Sequence, residues 1–285
     1  MSAGVDFRAM TGDDIAFAMQ LKAQNHWNQL EADWQRQLAL EPDGCFLAEL
    51  AAQPVGTVCT CVFDDVAWIN LVLVDQAHRG RGIGSALMQH VVRYLDQRGV
   101  RSIRLDATPL GQPVYEKLGF VGEYTLARYA GTMPRSTNTR PSAAGIEPLT
   151  ARDLPAVLEL DYAVTQTRRE KLIRNLHEAS PNAAWKYAVA GRLEGYCLTR
   201  PGSNAWQIGP IQGTPEAGRE LLLDAGHRFA GQPVYLDVPT NHTEATTLAQ
   251  SLGLTVQRPL LRMGRGQRVH ENLAMFWSGF GPEKG

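Results

Sequence analysis

This 285-residue sequence repeats itself once. Phe7-Arg-Ala-Met-Thr-Gly-Asp-Asp-Ile15 lines up with Ile146-Glu-Pro-Leu-Thr-Ala-Arg-Asp-Leu154 at an offset of 139. In each copy a short strand leads to a Thr and an Asp, and an apolar-periodic helix follows. Thr11 and Thr150 are the expected N-caps, because a hydroxyl there can accept an orphan amide proton. At the same offset Gly56 in Pro54-Val-Gly-Thr-Val58 matches Gly195 in Leu193-Glu-Gly-Tyr-Cys197. Further on, Ala67-Trp68 pairs with Ala205-Trp206, Arg104-Leu-Asp106 with Tyr235-Leu-Asp237, and Leu118-Gly-Phe120 with Leu252-Gly-Leu254. The matches keep chain order, and the period is far too long for a solenoid repeat, so each copy is a domain-sized α/β unit.

Between the copies, Ala130 to Gly145 reads AGTMPRSTNTRPSAAG, with ten of sixteen positions Gly, Pro, Ser, Thr or Asn. Such a stretch has no face to bury. The expected organisation is therefore a first domain over 1–130, a linker over 131–145 and a second domain over 146–285. Twenty-eight Lys and Arg balance 29 Asp and Glu, which gives no electrostatic case for a nucleic-acid or membrane-surface protein. No apolar run reaches the roughly 18 residues of a membrane helix, and Met1 to Asp14 has no signal core. A cytoplasmic monomer or homodimer is the expectation. Four cysteines are too few for a disulfide scaffold in this length. Cys59-x-Cys61 lacks a second ligand pair and the histidines lack ligand spacing, so core packing and no metal are expected.

Periodicity in the first copy predicts strands at 5–9, 44–50, 54–63, 67–74, 102–107 and 120–129. It predicts helices over 12–24, 29–40, 82–98 and 111–118. Ile83, Leu87, Val91, Tyr94 and Leu95 form one stripe at helical spacing, and Gly99 closes that helix. Hairpins followed by one strand–helix–strand crossover imply a mixed, mostly antiparallel sheet flanked by helices, α/β (α+β) in class and present twice.

Chemistry concentrates in Val72-Leu-Val-Asp-Gln-Ala-His-Arg-Gly-Arg-Gly-Ile-Gly84, which runs from an apolar strand into the 82–98 helix. Glycines where a loop becomes a helix N-terminus let backbone amides close on a diphosphate, and the helix dipole adds favourable potential. A Walker loop would need Gly-Lys-Ser/Thr, and a dinucleotide fingerprint Gly-x-Gly-x-x-Gly; neither is present. The strand, the Asp-x-x-x-Arg-Gly-x-Gly-x-Gly run, the helix, the next strand and Tyr115-Glu-Lys-Leu-Gly-Phe120 together resemble the GNAT acetyltransferase superfamily. The specific match spans about 67–120.

That resemblance implies acetyl-CoA as co-substrate, held between strands 67–74 and 102–107. The backbone of Val72, Leu73 and Val74 would bind the pantetheine arm. Arg79, Gly80, Arg81, Gly82, Ile83, Gly84 and Ser85 would cradle the pyrophosphate. Tyr115 matches the family position that protonates the departing thiolate. Asp106 stands where some members carry a base, with a water relay as the open alternative. Asn70, expected on the opposite side of its strand from Leu71 and Leu73, could line the acceptor pocket. Trp27, Asn28 and Asp33 lie in the segment that forms the acceptor wall, although Trp27 and Trp34, seven apart, equally suit one core-facing stripe. The implied reaction is acetyl transfer to a primary amine of a small molecule by direct attack on the thioester. A protein lysine or N-terminal amine as acceptor, and a non-catalytic acetyl-CoA sensor, are the alternatives.

The second copy lacks these parts. Gly209-Pro-Ile-Gln-Gly213 has no Arg-x-x-Gly-x-Gly after it, Pro210 removes an amide donor, and Tyr115 maps to Ala249. A degenerate GNAT-like domain is expected there, and its resemblance to the C-terminal domains of tandem GNAT proteins implies a contribution to the substrate site. Arg262-Met-Gly-Arg-Gly-Gln-Arg268 is expected to be a solvated strand end.

Overall fold

The computed structural model describes residues 4–135 and 145–281. In the first copy the order is β1 (Val5–Ala9), α1 (Ile15–Gln24), α2 (Glu31–Leu40), β2 (Cys45–Leu50), β3 (Gln53–Phe63) and β4 (Val66–Val74). It continues with α3 (Ile83–Gln97), β5 (Ser102–Ala107), α4 (Gln112–Glu116) and β6 (Val121–Thr132). The second copy runs β7 (Ile146–Pro148), α5 (Leu154–Thr165), α6 (Glu170–Ala179), β8 (Ala184–Val189), β9 (Arg192–Arg200) and β10 (Trp206–Gly213). Then come α7 (Pro215–Arg228), β11 (Pro233–Pro239), α8 (Thr243–Ser251), β12 (Thr255–Gly266) and β13 (Phe276–Ser278). The mixed α/β class stands as expected: β4–β5 and β10–β11 pair parallel, whereas β1–β2, β2–β3, β3–β4, β6–β11, β7–β8, β8–β9, β9–β10 and β10–β13 pair antiparallel.

Two compact units result, and they are not colinear with the two copies. Of the described residues, unit 1 holds those up to Gly122 together with Met263–Arg268; unit 2 holds those from Glu123 to Arg262 and from Val269 to Gly281. In unit 1 the strands lie in the order β1-β2-β3-β4-β5, with the end of β12 beside β5, where Gln267 N–H donates to the Arg101 carbonyl at 2.9 Å. In unit 2 the order is β12-β6-β11-β10-β9-β8-β7, and β13 pairs with β10. β6 therefore crosses the expected domain edge at 130 and runs two residues into the expected linker, whose residues 136–144 lie outside the described residues.

Local chemistry accounts for the elements. Thr11 and Thr150 each precede a short 3-10 turn that runs on into α1 or α5, and in both the carboxylate three residues later accepts the threonine's own N–H at 2.8 Å. α3 buries Ile83, Leu87, Val91 and Leu95 as its stripe requires, and Gly99 takes a left-handed φ of 69° just past its end. Cys45, Cys59 and Cys61 are buried in the sheet and form no disulfide.

Three expectations need correction. The offset of 139 persists through the strand pairing: Cys61 faces Trp68, and Arg200 faces Gln207. Gln207, not Trp206, thus takes the place of Trp68. Trp206 packs instead on Phe229, 5.0 Å between ring centroids, because a one-residue slip turns a side chain to the other face. Arg262 is not solvated either. It is fully buried, and its Nη1 donates to the Tyr124 hydroxyl at 2.6 Å and to Glu271 at 3.1 Å. The third correction concerns Asn70 and belongs with the site.

Candidate active site

β4 and β5 stay paired only from Val66↔Ser102 to Trp68↔Arg104, although β4 runs on to Val74 and β5 to Ala107. Past that last rung the β4 edge toward β5 has no ladder. On its other edge β4 follows β3 through a bulge: Asn70 faces Cys59 and Leu73 faces Thr57, so three steps on β4 match two on β3. Leu71, at the bulge, adopts φ 51°, a conformation that costs energy for a branched residue and persists only where the surroundings impose it. The extra residue puts Asn70 and Leu73 on the same face, which overturns the expected opposition. That face is the one covered by α1 and α2, because Cys59, Leu71 and Leu73 share a core cluster with Ala18, Leu21 and Trp34.

At the end of β4 the chain enters the glycine-rich turn. Gly80 and Gly82 take φ of 73° and 80°, and a side chain built on either would meet nothing within 4 Å. Both positions thus require glycine for backbone reasons and leave open space above them. Among the described residues, the N–H groups from Gly80 to Ser85 donate to no backbone carbonyl outside the helix, and the first turn of α3 supplies no acceptor of its own. Such a run of free amides, with the N-terminal end of a 15-residue helix behind it, suits a diphosphate. Arg79 is exposed and tied down, with Nε on the Val74 carbonyl at 3.2 Å and Nη2 on Asn25 Oδ1 at 2.8 Å. Arg81 is exposed, and Val72, Val74, Gly84 and Ser85 are half-buried.

Tyr115 sits on α4, edge-on to Phe120 at 6.2 Å between ring centroids. Gly111, one turn earlier, makes room for it: a Cβ there would lie 2.9 Å from the Tyr115 hydroxyl. Desolvation pushes the phenol up to about 12, so it is neutral and protonated throughout the physiological range. Its hydroxyl has no hydrogen-bond partner among the described residues. Asp106 is half-buried near the end of β5, two residues beyond Arg104, which is fully buried and stacks its guanidinium on Trp68 at 5.1 Å.

The expected acceptor wall divides. Asn28 is buried, and Trp27 packs on the core cluster that contains Trp34, which favours the packing reading for both tryptophans. Asp33 is engaged in structure: one oxygen accepts the Leu30 N–H at 2.8 Å and the other pairs with Arg36 at 2.6 Å, closing the start of α2. Sequence reasoning passed over Lys22, which is buried on α1. Burial draws its ammonium down, and the Asp33 charge opposes that. The available signal was a lysine within the Ala18–Leu21 stripe.

In unit 2 the same gap is filled by the chain itself. β10 and β11 pair only at Trp206↔Val234 and Gln207↔Tyr235. Beyond that, β13 lies along β10, with Ile211 facing Ser278 and Gln212 facing Phe276, and Gly279 N–H donates to the Asp237 carbonyl at 2.9 Å. Trp277 is fully buried against α7, so that a Cβ on Gly218 would fall 2.1 Å from its indole nitrogen. Asp237, the counterpart of Asp106, is locked in a bidentate pair with Arg128. Desolvation alone would raise that carboxyl, yet the Arg128 charge holds it below the usual carboxylate range. The tyrosine position is Ala249; Leu254 N–H returns to the Ala249 carbonyl just as Phe120 N–H returns to Tyr115.

Comparison with known proteins agrees with this geometry. A family model described as Acetyltransferase (GNAT) family matches residues 15–120, and one described as Acetyltransferase (GNAT) domain matches residues 157–276. A holothin acyltransferase of Pseudoalteromonas sp. (strain SANK 73390) is 23% identical over 244 residues, 85% of this chain and 81% of its own. A glucosamine 6-phosphate N-acetyltransferase of Trypanosoma brucei brucei is 38% identical over 55 residues, 19% of this chain and 37% of its own. A solved structure from Pyrococcus horikoshii, classed with the acetyltransferases, superposes with a TM-score of 0.85 at 25% identity, covering 99% of this chain and 96% of that one.

Proposed function

We propose that this chain, which belongs to the GNAT acetyltransferase family and carries two GNAT domains in tandem, acetylates a primary amine of a small molecule in unit 1. The observation that carries this reading is the contrast between the units. Unit 1 ends its β4–β5 ladder early beside a run of unpaired glycine-loop amides, whereas in unit 2 the corresponding gap holds β13.

Acetyl-CoA supplies the activated acyl group as a thioester. Amides from Gly80 to Ser85 would hold its diphosphate, with Arg79 and Arg81 adding positive charge at the rim. The β4 backbone over Val72, Leu73 and Val74 would align the pantetheine arm and polarise the thioester carbonyl. Tyr115, neutral and without a hydrogen-bond partner among the described residues, would protonate the departing thiolate. Asp106, or a water it orients, would take the proton the amine must lose. A small-molecule acceptor is supported by the relatives named for acyl transfer to holothin and to glucosamine 6-phosphate.

The test is thiol release from acetyl-CoA across a panel of primary amines, alongside calorimetry on the full chain. One acetyl-CoA should bind per chain, and at least one amine should drive CoA release above the hydrolysis background. Two equivalents bound would contradict a filled gap in unit 2. Binding with no turnover on any amine or lysine peptide would favour a sensor.

A further inference from the structure

We propose that the carboxamide of Asn70 selects the acceptor, by hydrogen-bonding an uncharged hydroxyl or amide carried beside the reacting amine. This rests on the acetyl-transfer reading of unit 1. Asn70 is 4% exposed, and neither its Oδ1 nor its Nδ2 has a hydrogen-bond partner among the described residues. A carboxamide offers two donor hydrogens and an acceptor oxygen, and buried polar groups left unpaired are rare because nothing offsets their desolvation. The position of Asn70 points to a ligand as the missing partner. It stands two residues past the last β4–β5 rung at Trp68, on the α1–α2 face, immediately before the strained Leu71 that redirects β4. It therefore lies beside the strand segment read as the pantetheine track, at the end where an acceptor must reach the acetyl group.

Unit 2 supplies an independent observation. Gly209 takes the place of Asn70 there at the same offset of 139, and the chain fills the space that a side chain would occupy. A Cβ built on Gly209 would meet the Gly279 carbonyl oxygen at 2.1 Å and the Ser278 hydroxyl at 2.8 Å. Where unit 2 brings its own polar groups to this spot, unit 1 presents an unsatisfied amide. An uncharged amide recognises groups that both donate and accept, so the acceptor class is hydroxylated or carboxamide-bearing small primary amines. The pantetheine arm also carries amides, and the measurements must separate the two.

Three readouts on wild type, Asn70→Leu and Asn70→Ala do so. Thermal unfolding without ligand should give at least one variant a Tm at or above wild type, because an unpaired buried amide has been removed. A drop of several degrees in both would make Asn70 a satisfied structural residue and overturn the proposal. Matched amines, ethanolamine against n-propylamine and glycinamide against n-butylamine, should differ in kcat/KM by about tenfold or more in wild type. That preference should fall to within about twofold in the variants, the scale of one hydrogen bond. Calorimetry should leave acetyl-CoA affinity within about twofold of wild type. Weakening by about tenfold, with amine preference intact, would assign Asn70 to the pantetheine arm and overturn its acceptor role. Turnover without pairwise preference removes this proposal alone. No CoA release from any amine in wild type removes the acetyl-transfer reading, and this proposal with it.

Discussion

Residues 1–135 produced alone will fail to give a cooperative unfolding transition and will aggregate. Unit 1 includes Met263–Arg268, in which Met263 is completely buried and Gly266 passes so close to the chain that a Cβ would lie 2.4 Å from the Arg101 carbonyl oxygen. Without that segment the outer edge of β5 loses its neighbouring strand. Losing the buried methionine alone is comparable to a large-to-small core change, about 2–5 kcal/mol, against a total stability of order 5–15 kcal/mol. The same truncation strips β6 of all seven of its β11 partners, from Leu126↔Pro239 to Thr132↔Pro233. It exposes Leu126, Ala127 and Tyr129, which are buried in the full chain. A long strand with apolar residues and an unpaired edge is a template for association. Circular dichroism melts and size-exclusion chromatography decide the matter. A monomeric half-chain that melts cooperatively near the full-length Tm and binds acetyl-CoA would show that unit 1 does not need the returning strand.

That prediction turns on something the sequence does not reveal. Strand positions were legible because alternation and helical stripes are local signals: β1, β5 and the 83–97 helix fall where periodicity puts them. Which sheet a strand joins is a non-local choice, and nothing in Val121–Thr132 says that its partner is Pro233–Pro239. The glycine loop was legible too, because left-handed backbone at Gly80 and Gly82 needs glycine. The bulge at Leu71 was not, since a leucine at φ 51° contradicts its own preference and is imposed by the packing around it. Missing that bulge put Asn70 on the wrong face. A shared tryptophan likewise drew Ala205-Trp206 one residue out of register, where the Gly56–Gly195 offset already held the right answer. Arg262 read as solvated because its partners Tyr124 and Glu271 lie 138 and nine residues away. Its burial depends on the assembled sheet.

Tyr115→Phe should lower kcat by about 10²-fold or more while leaving the fold and acetyl-CoA affinity nearly unchanged, the pattern of a lost general acid. The three parts of that expectation have separate causes. Stability holds because the hydroxyl bonds to nothing among the described residues, and phenylalanine keeps the edge-on contact with Phe120. Affinity holds because the cradle amides and the β4 backbone, not the phenol, carry the cofactor in this reading. Rate falls because a thiolate leaving a partly desolvated site needs a proton, and Tyr115 is the residue read as its source. The pH dependence follows from the phenol's raised value of about 12. A proton donor is competent below its pKa, so Tyr115 stays competent throughout the assayable range from about pH 7 to pH 10, close to the ordinary tyrosine value. The wild-type profile should therefore show no alkaline fall due to this group, and the variant should lie lower by a constant factor. An alkaline limb near pH 9 that vanishes in Tyr115→Phe would mean the phenol titrates far below that value. Single-turnover rates keep product release from masking the chemical step. If they match between wild type and variant, Tyr115 is a packing residue and another group protonates the thiolate.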